Sequence, residues 1–557
     1  MHSNKISVIH LIQLLIKSGV SDFIISPGSR NAPLILELTN RKDINLYSIA
    51  DERSAGFYAL GMSMVTKKPT VVICTSGSAL LNYLPSVSEA FYRNIPLIVI
   101  SSDRPFYRID KGEGQTINQR GALANFIIGE MNISLDENIN DFSILDNEIS
   151  RLIQKSSHPT PGPIHFNIEF EEPLYSSVES YDLDSIKHIV TNISSDIKPK
   201  LSKECIELFN RSAKVMILCG QMERNSELEL ILNKFSSLEN VVILTETTAN
   251  VEGEKIIPSI DKVVLTFGEE DEEFHPDLLI TVGDAIISKI IKKFIRKSNP
   301  KYHFQIHPNG VFRNTYDVLS HKINSAPESF LTELIKKVST VKSDYGSNWS
   351  QQYEFANKIH DAFLSSAPYS DLKVFEFILK NLPENINLHV SNSSPIRYHQ
   401  LFDFNKNIRT YCNRGTSGID GCLSTAAGFA IKKDSPTWFI TGDVSFLYDS
   451  NAWWNNYKPD LKVILINNGG GGIFRILPGP KDIPDFETYF ETQHDVNISK
   501  LCLAFDIIHY SANNIEEVAL NLELLNESKG ISVLEIKTPQ TLNAEVLKMY
   551  FKALKEN

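Results

Sequence analysis

Short apolar runs that end in small or polar residues recur along the whole chain. In the N-terminal part they lie at residues 23–25, 71–74, 97–100 and 164–166, and stretches with helical spacing of apolar positions separate them. Runs this short, followed by serine, glycine, aspartate or asparagine, are typical of buried parallel strands whose carboxyl ends face a ligand. The alternation therefore predicts a doubly wound α/β sheet.

The same alternation returns twice further along the chain. The middle part has runs at 215–219, 241–244, 278–282 and 302–306 and then a charged helical region near 327–352, and the last part has runs at 388–390, 437–440, 463–466 and 531–536. A chain of 557 residues is also too long for one core. We therefore predict three doubly wound parallel-sheet domains, at residues 1–180, 190–345 and 355–557, with a polar linker at 176–199.

Composition narrows the class of protein. No apolar stretch approaches the roughly 18 residues of a membrane span, and the amphipathic N-terminus is interpreted as a first helix, not a signal peptide. The six cysteines form no CxxC pair, which argues against zinc and disulfides and favours the cytoplasm. A net charge of −12 argues against nucleic acid as a partner, so anionic ligands would need local arginines.

Two of the predicted strands in the last part end in oxygen-bearing residues. One ends in Gly442-Asp443 and the next in Asn467-Asn468, followed by four glycines. The spacing leaves room for a helix at 451–457 and a right-handed crossover, which would bring a carboxylate, an amide oxygen and backbone carbonyls to one edge. These are the hard ligands of magnesium, and glycines admit a diphosphate. Gly-Asp alone is as readily a turn and helix cap, but the pair of motifs favours a metal-diphosphate site over a dinucleotide site, which would need GxGxxG.

This arrangement resembles the cofactor motif of thiamine diphosphate enzymes, whose pyrimidine-binding, central and diphosphate-binding domains would span the whole chain. The resemblance implies that Asp443, Asn468 and the carbonyl of Gly470 hold Mg²⁺ or Mn²⁺. It departs at Val444, where many relatives have glycine. The other cofactor contacts that it implies are Glu52, Thr75, Ser76, Gly77, Ile419, Gly442, Val444, Ser445, Gly472 and Ile473.

Six further motifs narrow the resemblance: SPGSR (26–30), DER (51–53), TSGSA (75–79), SDRP (102–105), NRGTSGIDG (413–421) and STAAG (424–428). Together they resemble the 2-succinyl-5-enolpyruvyl-6-hydroxy-3-cyclohexene-1-carboxylate synthase family of menaquinone biosynthesis. The resemblance implies decarboxylation of 2-oxoglutarate and 1,4-addition of the remaining four-carbon unit to isochorismate. It also implies a homodimer or homotetramer with the active site at the subunit interface.

Glu52 is the predicted catalytic residue. A carboxyl that hydrogen-bonds the cofactor's aminopyrimidine ring favours the imino tautomer, which is the internal base. Glu52 follows the apolar-leaning stretch 46–50 and precedes a predicted helix at 55–64; the alternative is a glutamate that complements a helix dipole. Ile419 could support the bent cofactor or staple the next helix, and Ile473 and Phe474 could complete the pocket or belong to the core.

Four arginines are the candidate substrate contacts, because both substrates are dianions and guanidinium forks bind carboxylates at two points. Any one of them alone would more often be a surface ion-pair partner. By motif, 2-oxoglutarate would meet Ser393, Arg397 and Arg414, and isochorismate would meet Ser29, Arg30, Arg104 and Gln115. Gly114 stands where the family pattern has asparagine.

Two alternatives remain open at the level of sequence. Another thiamine diphosphate-dependent 2-oxo acid decarboxylase or carboligase would not need four arginines. A non-catalytic nucleotide- or metabolite-binding protein on the same scaffold would not need Glu52, Asp443 and Asn468 intact.

Overall fold

The structure is a computed structural model and describes residues 1–188, 201–268, 270–403, 407–477, 479 and 483–556. The backbone groups into two compact units. The first comprises residues 1–195, 413–437 and 447–461, and the second comprises 196–412, 438–446 and 462–557. Three parallel sheets supply the framework of the chain.

The first sheet is built from the N-terminal segment. The strands of this segment are β1 (His2–Ser3), β2 (Asp22–Ile25), β3 (Asn45–Ser48), β4 (Thr70–Cys74), β5 (Leu97–Asp103), β6 (Gly129–Ile133), β7 (Pro163–Glu169) and β8 (Ser177–Val178). Its helices are α1 (Ile6–Lys17), α2 (Ala32–Thr39), α3 (Glu52–Thr66), α4 (Ser78–Asn82), α5 (Leu84–Tyr92) and α6 (Phe142–Ser157). The sheet order is β3-β2-β4-β5-β7-β6 and every pairing is parallel.

The middle segment repeats the pattern with five strands. These are β9 (Val215–Cys219), β10 (Val241–Thr245), β11 (Leu278–Val282), β12 (Tyr302–His307) and β13 (His321–Asn324), in the parallel order β10-β9-β11-β12-β13. The helices are α7 (Lys203–Arg211), α8 (Ser226–Phe235), α9 (Ile260–Val264), α10 (Lys289–Ser298), α11 (Pro327–Ile335) and α12 (Tyr345–Ser366).

The last segment forms the third sheet, in the order β15-β14-β16-β17-β19-β18. Its strands are β14 (Asn387–Val390), β15 (Arg409–Tyr411), β16 (Thr437–Gly442), β17 (Leu461–Asn467), β18 (Ile508–Ala512) and β19 (Ser532–Lys537). Its helices are α13 (Asp371–Asn381), α14 (Ser394–His399), α15 (Cys422–Lys432), α16 (Asp443–Tyr448), α17 (Ile473–Ile476), α18 (Ile498–Ala504), α19 (Ile515–Glu527) and α20 (Gln540–Glu556).

All three sheets share one topological feature. In each sheet, the second strand along the chain lies on one side of the first strand, and the third strand lies on the other side. The strand order therefore reverses between β2 and β4, between β9 and β11, and between β14 and β16. Such a reversal opens a crevice at the carboxyl ends of the two strands, where doubly wound folds bind ligands. SPGSR and TSGSA follow the two strands of the first crevice, and Ser393 and Asp443 follow those of the third.

The predicted fold class is confirmed, and each apolar run listed above lies in a strand, except that the last run begins one residue before β19. Apart from the short antiparallel pair β1–β8, four of the described strands were not predicted: β6, β13, β15 and β18. Each is at the edge of its sheet, and none is buried along its whole length. Because edge strands bury less surface, they lack the continuous apolar run that identifies a central strand.

The predicted helix at 451–457 is wrong. The crossover helix α16 begins directly at Asp443, and the predicted stretch holds only the end of a 3₁₀ turn, Ser450–Ala452. Asn455 explains the difference, because its side chain donates to the carbonyl of Ala452 at 2.8 Å and accepts from the backbone N–H of Tyr457 at 2.9 Å. Such local side-chain bonds compete with helix formation.

The predicted linker contains two short elements among its described residues: β8, which pairs antiparallel with β1, and a 3₁₀ turn at Leu183–Ser185. Its residues 189–199 lie outside the described part of the chain, and the three domain boundaries stay predictions. Within the described ranges, no helix has both the length and the apolar character that crossing a bilayer requires.

Candidate active site

Asp443 lies at the junction of β16 and α16, with a side chain that is almost fully buried. Its Oδ2 accepts hydrogen bonds from the backbone N–H groups of Gly469 and Gly470, at 2.8 and 2.9 Å, and its Oδ1 accepts from that of Val444 at 2.7 Å. These bonds connect the ends of neighbouring strands β16 and β17, as the sequence predicted. They also hold the carboxylate in one orientation.

Asn468 presents an oxygen that nothing in the described chain satisfies. Its Nδ2 donates to Asp371 Oδ2 at 3.1 Å, whereas its buried Oδ1 has no hydrogen-bond partner among the described residues. Asp371 is held in turn by the hydroxyl of Thr538 at 2.6 Å, and burial raises the pKa of Asp371 to about 6. A buried, unpaired acceptor is costly unless a ligand binds it.

These donors fit a magnesium or manganese ion better than zinc. One carboxylate and one amide oxygen are hard ligands, and diphosphate and water oxygens usually complete such a site. In the part of the chain that the structure describes, no three histidine, cysteine or acidic side chains converge as a metal cluster. The orphaned oxygen of Asn468 is therefore the observation that supports a cation here.

The glycine run lies tightly against a neighbouring segment. A Cβ on Gly470 would lie 2.7 Å from the carbonyl oxygen of Glu491, and the guanidinium of Arg475 binds the Glu491 carboxylate. His494, which the sequence analysis did not identify, places Nε2 3.5 Å from Asp443 Oδ2. Attraction to that carboxylate raises the pKa of His494.

Glu52 is the first residue of α3 and follows the N-cap Asp51, whose side chain accepts from the backbone N–H of Ser54 at 3.1 Å. Both interpretations of Glu52 therefore agree with its position, after a strand and in the first turn of a helix. Its half-buried carboxylate accepts from Asn82 Nδ2 at 3.3 Å, a partner that the sequence did not reveal. Burial raises the pKa of Glu52.

The TSG loop after β4 is held by Gln119, another residue that sequence reasoning missed. The N–H of Gly77, which has φ +89°, donates to Gln119 Oε1 at 2.8 Å. Gln119 Nε2 donates to the carbonyl of Ser102 at 3.2 Å and to Asn167 Oδ1 at 2.8 Å. Gln119 thus fixes the loop with Thr75 and Ser76, both buried, to the end of β5.

Arg30 and Arg104 meet at the crevice of the first sheet. Arg104 Nη1 donates to Ser76 Oγ at 2.8 Å and to the carbonyl of Gln115 at 2.7 Å, and Arg30 Nη1 donates to the carbonyl of Phe170 at 3.1 Å. The buried Nε of Arg30 has no hydrogen-bond partner among the described residues. Burial and then repulsion from Arg104 lower the pKa of Arg30, and the nearby carboxylates of Glu172, Glu113 and Asp103 oppose this lowering.

Ser393 and Arg397 lie together in the second unit. Ser393 has a positive φ of 76° before α14, and its carbonyl accepts from Arg397 Nη1 at 3.0 Å. A cavity of about 200 Å³ is lined by Arg397, Asp261 and Ser288 on its polar side and by Ile473 and Leu477 on its apolar side. Ile473 therefore lines a cavity, and its role in a cofactor pocket stays a prediction.

The other predicted residues are placed as follows. Arg414 and Ile419 are half-buried on the 413–421 loop of the first unit. Ser29, Gly114 and Gln115 are exposed, and a Cβ on Gly114 would meet nothing within 4 Å. Around Asp443, Ser445 is buried, and Gly442, Val444 and Gly472 are half-buried.

Comparison with protein families gives two matches. Residues 8–122 match the thiamine pyrophosphate enzyme N-terminal TPP binding domain, and residues 393–536 match the thiamine pyrophosphate enzyme C-terminal TPP binding domain. The first range contains Glu52 and the TSG loop, and the second contains Asp443 and Asn468.

Full-length relatives are named 2-succinyl-5-enolpyruvyl-6-hydroxy-3-cyclohexene-1-carboxylate synthase. The protein of that name from Flavobacterium johnsoniae is 43% identical over 552 residues, which is 98% of each chain. That from Flavobacterium psychrophilum is 41% identical, again over 98% of each chain, and that from Porphyromonas gingivalis is 35% identical over 99% of this chain and 97% of its own.

Among solved structures, the crystal structure of benzoylformate decarboxylase from Polynucleobacter necessarius is similar, with a TM-score of 0.70. The match covers 97% of this chain and 99% of that one, at 16% sequence identity. At that identity the likeness supports the fold alone.

Proposed function

The chain belongs to the 2-succinyl-5-enolpyruvyl-6-hydroxy-3-cyclohexene-1-carboxylate synthase family of thiamine diphosphate-dependent enzymes, and on that premise we propose which residues serve its cofactor and its substrates. It is a carbon–carbon bond-forming transferase of menaquinone biosynthesis. The substrates that we propose are 2-oxoglutarate, which loses CO₂, and isochorismate, which accepts the remaining four-carbon unit by 1,4-addition.

The cofactor site consists of two sets of residues with different tasks. Asp443, Asn468 and the carbonyl of Gly470 would hold a magnesium or manganese ion, and the unpaired Oδ1 of Asn468 supports this assignment. Thiamine diphosphate would supply an acidic thiazolium carbon as the nucleophile for a 2-oxo acid. Glu52 holds a proton at the aminopyrimidine ring, and its raised pKa supports a carboxyl that retains that proton readily.

The substrate contacts follow the two pairs of arginines. Arg397 and Ser393, which lie together in the second unit, and Arg414 on the 413–421 loop are the contacts that we propose for the carboxylates of 2-oxoglutarate, and Arg397 lines the cavity of about 200 Å³. Arg30, Arg104, Ser29 and Gln115 bind isochorismate.

One observation supports a dianionic acceptor above the others. Arg30 and Arg104 are close enough to lower the pKa of Arg30, and the buried Nε of Arg30 is unpaired within the described chain. Glu172 lies 3.5 Å from Arg30 and Glu113 lies 3.6 Å from Arg104, and because both carboxylates are partly exposed, a bound dianion could replace them beside these two partly desolvated cations. An enzyme that acts on one simple 2-oxo acid has no use for this second cationic site.

Incubation of the protein with thiamine diphosphate, Mg²⁺ and 2-oxoglutarate, with and without isochorismate, tests the assignment through the mass of the product. We expect the succinyl-substituted product and CO₂ only when both substrates are present. CO₂ release with simple aldehydes as acceptors but not with isochorismate would indicate a different carboligase, and no CO₂ under any condition would indicate a binding protein.

We also propose a cytoplasmic homodimer or homotetramer. The support for the compartment is that all six cysteines are free and buried. Light scattering of the purified protein tests the oligomer, and a monomer at micromolar concentration would contradict it.

A further inference from the structure

The loop at residues 413–421 is anchored by a carboxylate from α5. Glu89 is fully buried, and its Oε1 accepts from the backbone N–H of Gly415 at 2.9 Å. Its Oε2 accepts from the N–H of Thr416 at 2.6 Å and from the Thr416 hydroxyl at 2.9 Å. Three donors from two consecutive loop residues therefore converge on one side chain.

The backbone of the loop also lies directly against α5. A Cβ on Gly415 would lie 2.7 Å from the carbonyl oxygen of Glu89, so this position admits only glycine without movement. Arg414 precedes these two anchored residues, and Ile419 follows three positions after Thr416. The hydrogen bond and the close packing of Gly415 against Glu89 thus restrain the backbone next to Arg414, and with it the direction of the Arg414 side chain.

The far end of the loop is fixed by helix packing. A Cβ on Gly61 of α3 would overlap the carbonyl of Thr425 in α15, and one on Gly428 of α15 would overlap the carbonyl of Tyr58 in α3. This close glycine seam leaves α15 no freedom to shift toward α3. The end of the loop that carries Arg414 is held by the hydrogen bonds from Gly415 and Thr416 to Glu89.

We propose that Glu89 is a positioning residue that holds Arg414 in place for a carboxylate of 2-oxoglutarate. The inference rests on the role proposed above for Arg414. Glu89 does not touch the substrate; it accepts hydrogen bonds from Gly415 and Thr416 and so orders the backbone on which Arg414 stands. Glutamine at this position would keep one acceptor oxygen and turn an NH₂ group toward N–H donors.

The first test is Glu89→Gln, with the KM of each substrate measured separately. Misplacing a binding group by about 1 Å can cost up to ~100-fold in rate, so we expect the KM for 2-oxoglutarate to rise by roughly tenfold or more. The KM for isochorismate should stay within about twofold, because Arg30 and Arg104 have anchors of their own. Equal increases for both substrates, or no increase for either, would overturn the proposal.

A matched pair of variants covers the case in which Glu89→Gln fails to fold. Thr416→Val removes the hydroxyl donor at nearly constant shape, and Thr416→Ser retains it. We expect the KM for 2-oxoglutarate to rise about three- to tenfold in Thr416→Val, which corresponds to the net loss of one typical hydrogen bond, and to stay near the parent value in Thr416→Ser. Identical behaviour of the two variants would contradict the proposal.

Two further measurements separate this inference from the function on which it rests. Arg414→Ala should raise the KM for 2-oxoglutarate; if it does not, the role of Arg414 is wrong. If Arg414→Ala raises that KM but Glu89→Gln and Thr416→Val do not, only the role of Glu89 fails. Amide hydrogen exchange in the cofactor-free protein should accelerate at Gly415 and Thr416 in Glu89→Gln, and unchanged exchange there would also count against it.

Discussion

Asp443 and Glu52 are both carboxylates at the first residue of a helix that follows a strand, yet their surroundings differ. Asp443 is almost fully buried and accepts hydrogen bonds from three backbone N–H groups. Glu52 is half-buried, and among the described residues its carboxylate accepts a side-chain hydrogen bond from Asn82, at 3.3 Å. Three backbone donors stabilise a carboxylate, whereas burial with few donors raises the pKa of Glu52.

This contrast teaches that the same local element can serve two kinds of chemistry. A cation ligand must be held in one orientation, and the backbone N–H groups of the loop after β17 hold Asp443 in this way. A group that shares a proton with a ring nitrogen must accept and release that proton readily. Glu52, a half-buried carboxyl with a raised pKa, meets this requirement.

The largest effect should come from Asp443→Ala. We expect thiamine diphosphate to bind more than ~100-fold more weakly in the presence of Mg²⁺, because the cation would lose its carboxylate ligand. Titration calorimetry measures this directly. The matched control is Asp284→Ala, which alters the second Gly-Asp pair, after β11, and should leave binding unchanged. Equal affinity in the parent and in Asp443→Ala would remove the metal assignment.

Glu52→Gln should instead spare binding and slow the reaction. A neutral amide cannot exchange the proton, so we expect kcat to fall by about 10²- to 10⁴-fold with cofactor affinity retained. Exchange of the proton at cofactor C2 for deuterium, followed by NMR after rapid quenching, reports the affected step. Exchange as fast as in the parent would show that Glu52 does not set the tautomer.

Asp371→Asn should have an intermediate effect on the cation site. Asp371 accepts from Asn468 Nδ2 at 3.1 Å and so points the unpaired Oδ1 away from itself. Loss of such an orienting partner typically weakens metal binding by about 10- to 100-fold. Manganese titration followed by electron paramagnetic resonance measures the affinity, and the exposed Asp361→Asn is the control. No difference between the two variants would contradict the orienting role.

The smallest effect concerns the pH dependence of stability. Because burial raises the pKa of Glu52 above its ordinary value of 4.5, the folded state disfavours the charged form. The contribution of Glu52 to the free energy of unfolding is therefore fully present below pH 4.5 and is lost as pH rises through the raised pKa. Denaturant titrations across this range should show that Glu52→Gln gains stability relative to the parent as pH rises. A constant difference would contradict the raised pKa.

The local chemistry of the site could be predicted from the sequence because its motifs follow central strands. Asp443 and Asn468 directly follow β16 and β17, which are adjacent in the sheet. The spacing of two apolar runs was therefore sufficient to predict that these residues lie close together. The helix between them was predicted at the wrong place, because the Asn455 side chain hydrogen-bonds to the backbone of Ala452 and Tyr457. The pattern of apolar positions gives no sign of these bonds.

The anchors of the site could not be predicted in this way. Glu89 lies 326 positions from Gly415, and Asp371 lies 97 positions from Asn468. Gln119 meets Gly77 across 42 positions, from a loop with no periodic pattern. None of the three anchors, Glu89, Asp371 and Gln119, belongs to one of the six motifs. In a sequence, a single buried acid or amide cannot be distinguished from a surface residue of the same type.

The parallel sheets, the crevice motifs and the family can be recognised from the amino-acid sequence, because they depend on apolar runs and on short segments that keep their chemistry wherever they fold. The orientation of the functional groups depends on tertiary contacts. Which atom of Asn468 is left unpaired depends on Asp371, and which way the 413–421 loop presents Arg414 depends on Glu89. Both are decided by hydrogen bonds between residues far apart in the chain, whose partners no local pattern encodes.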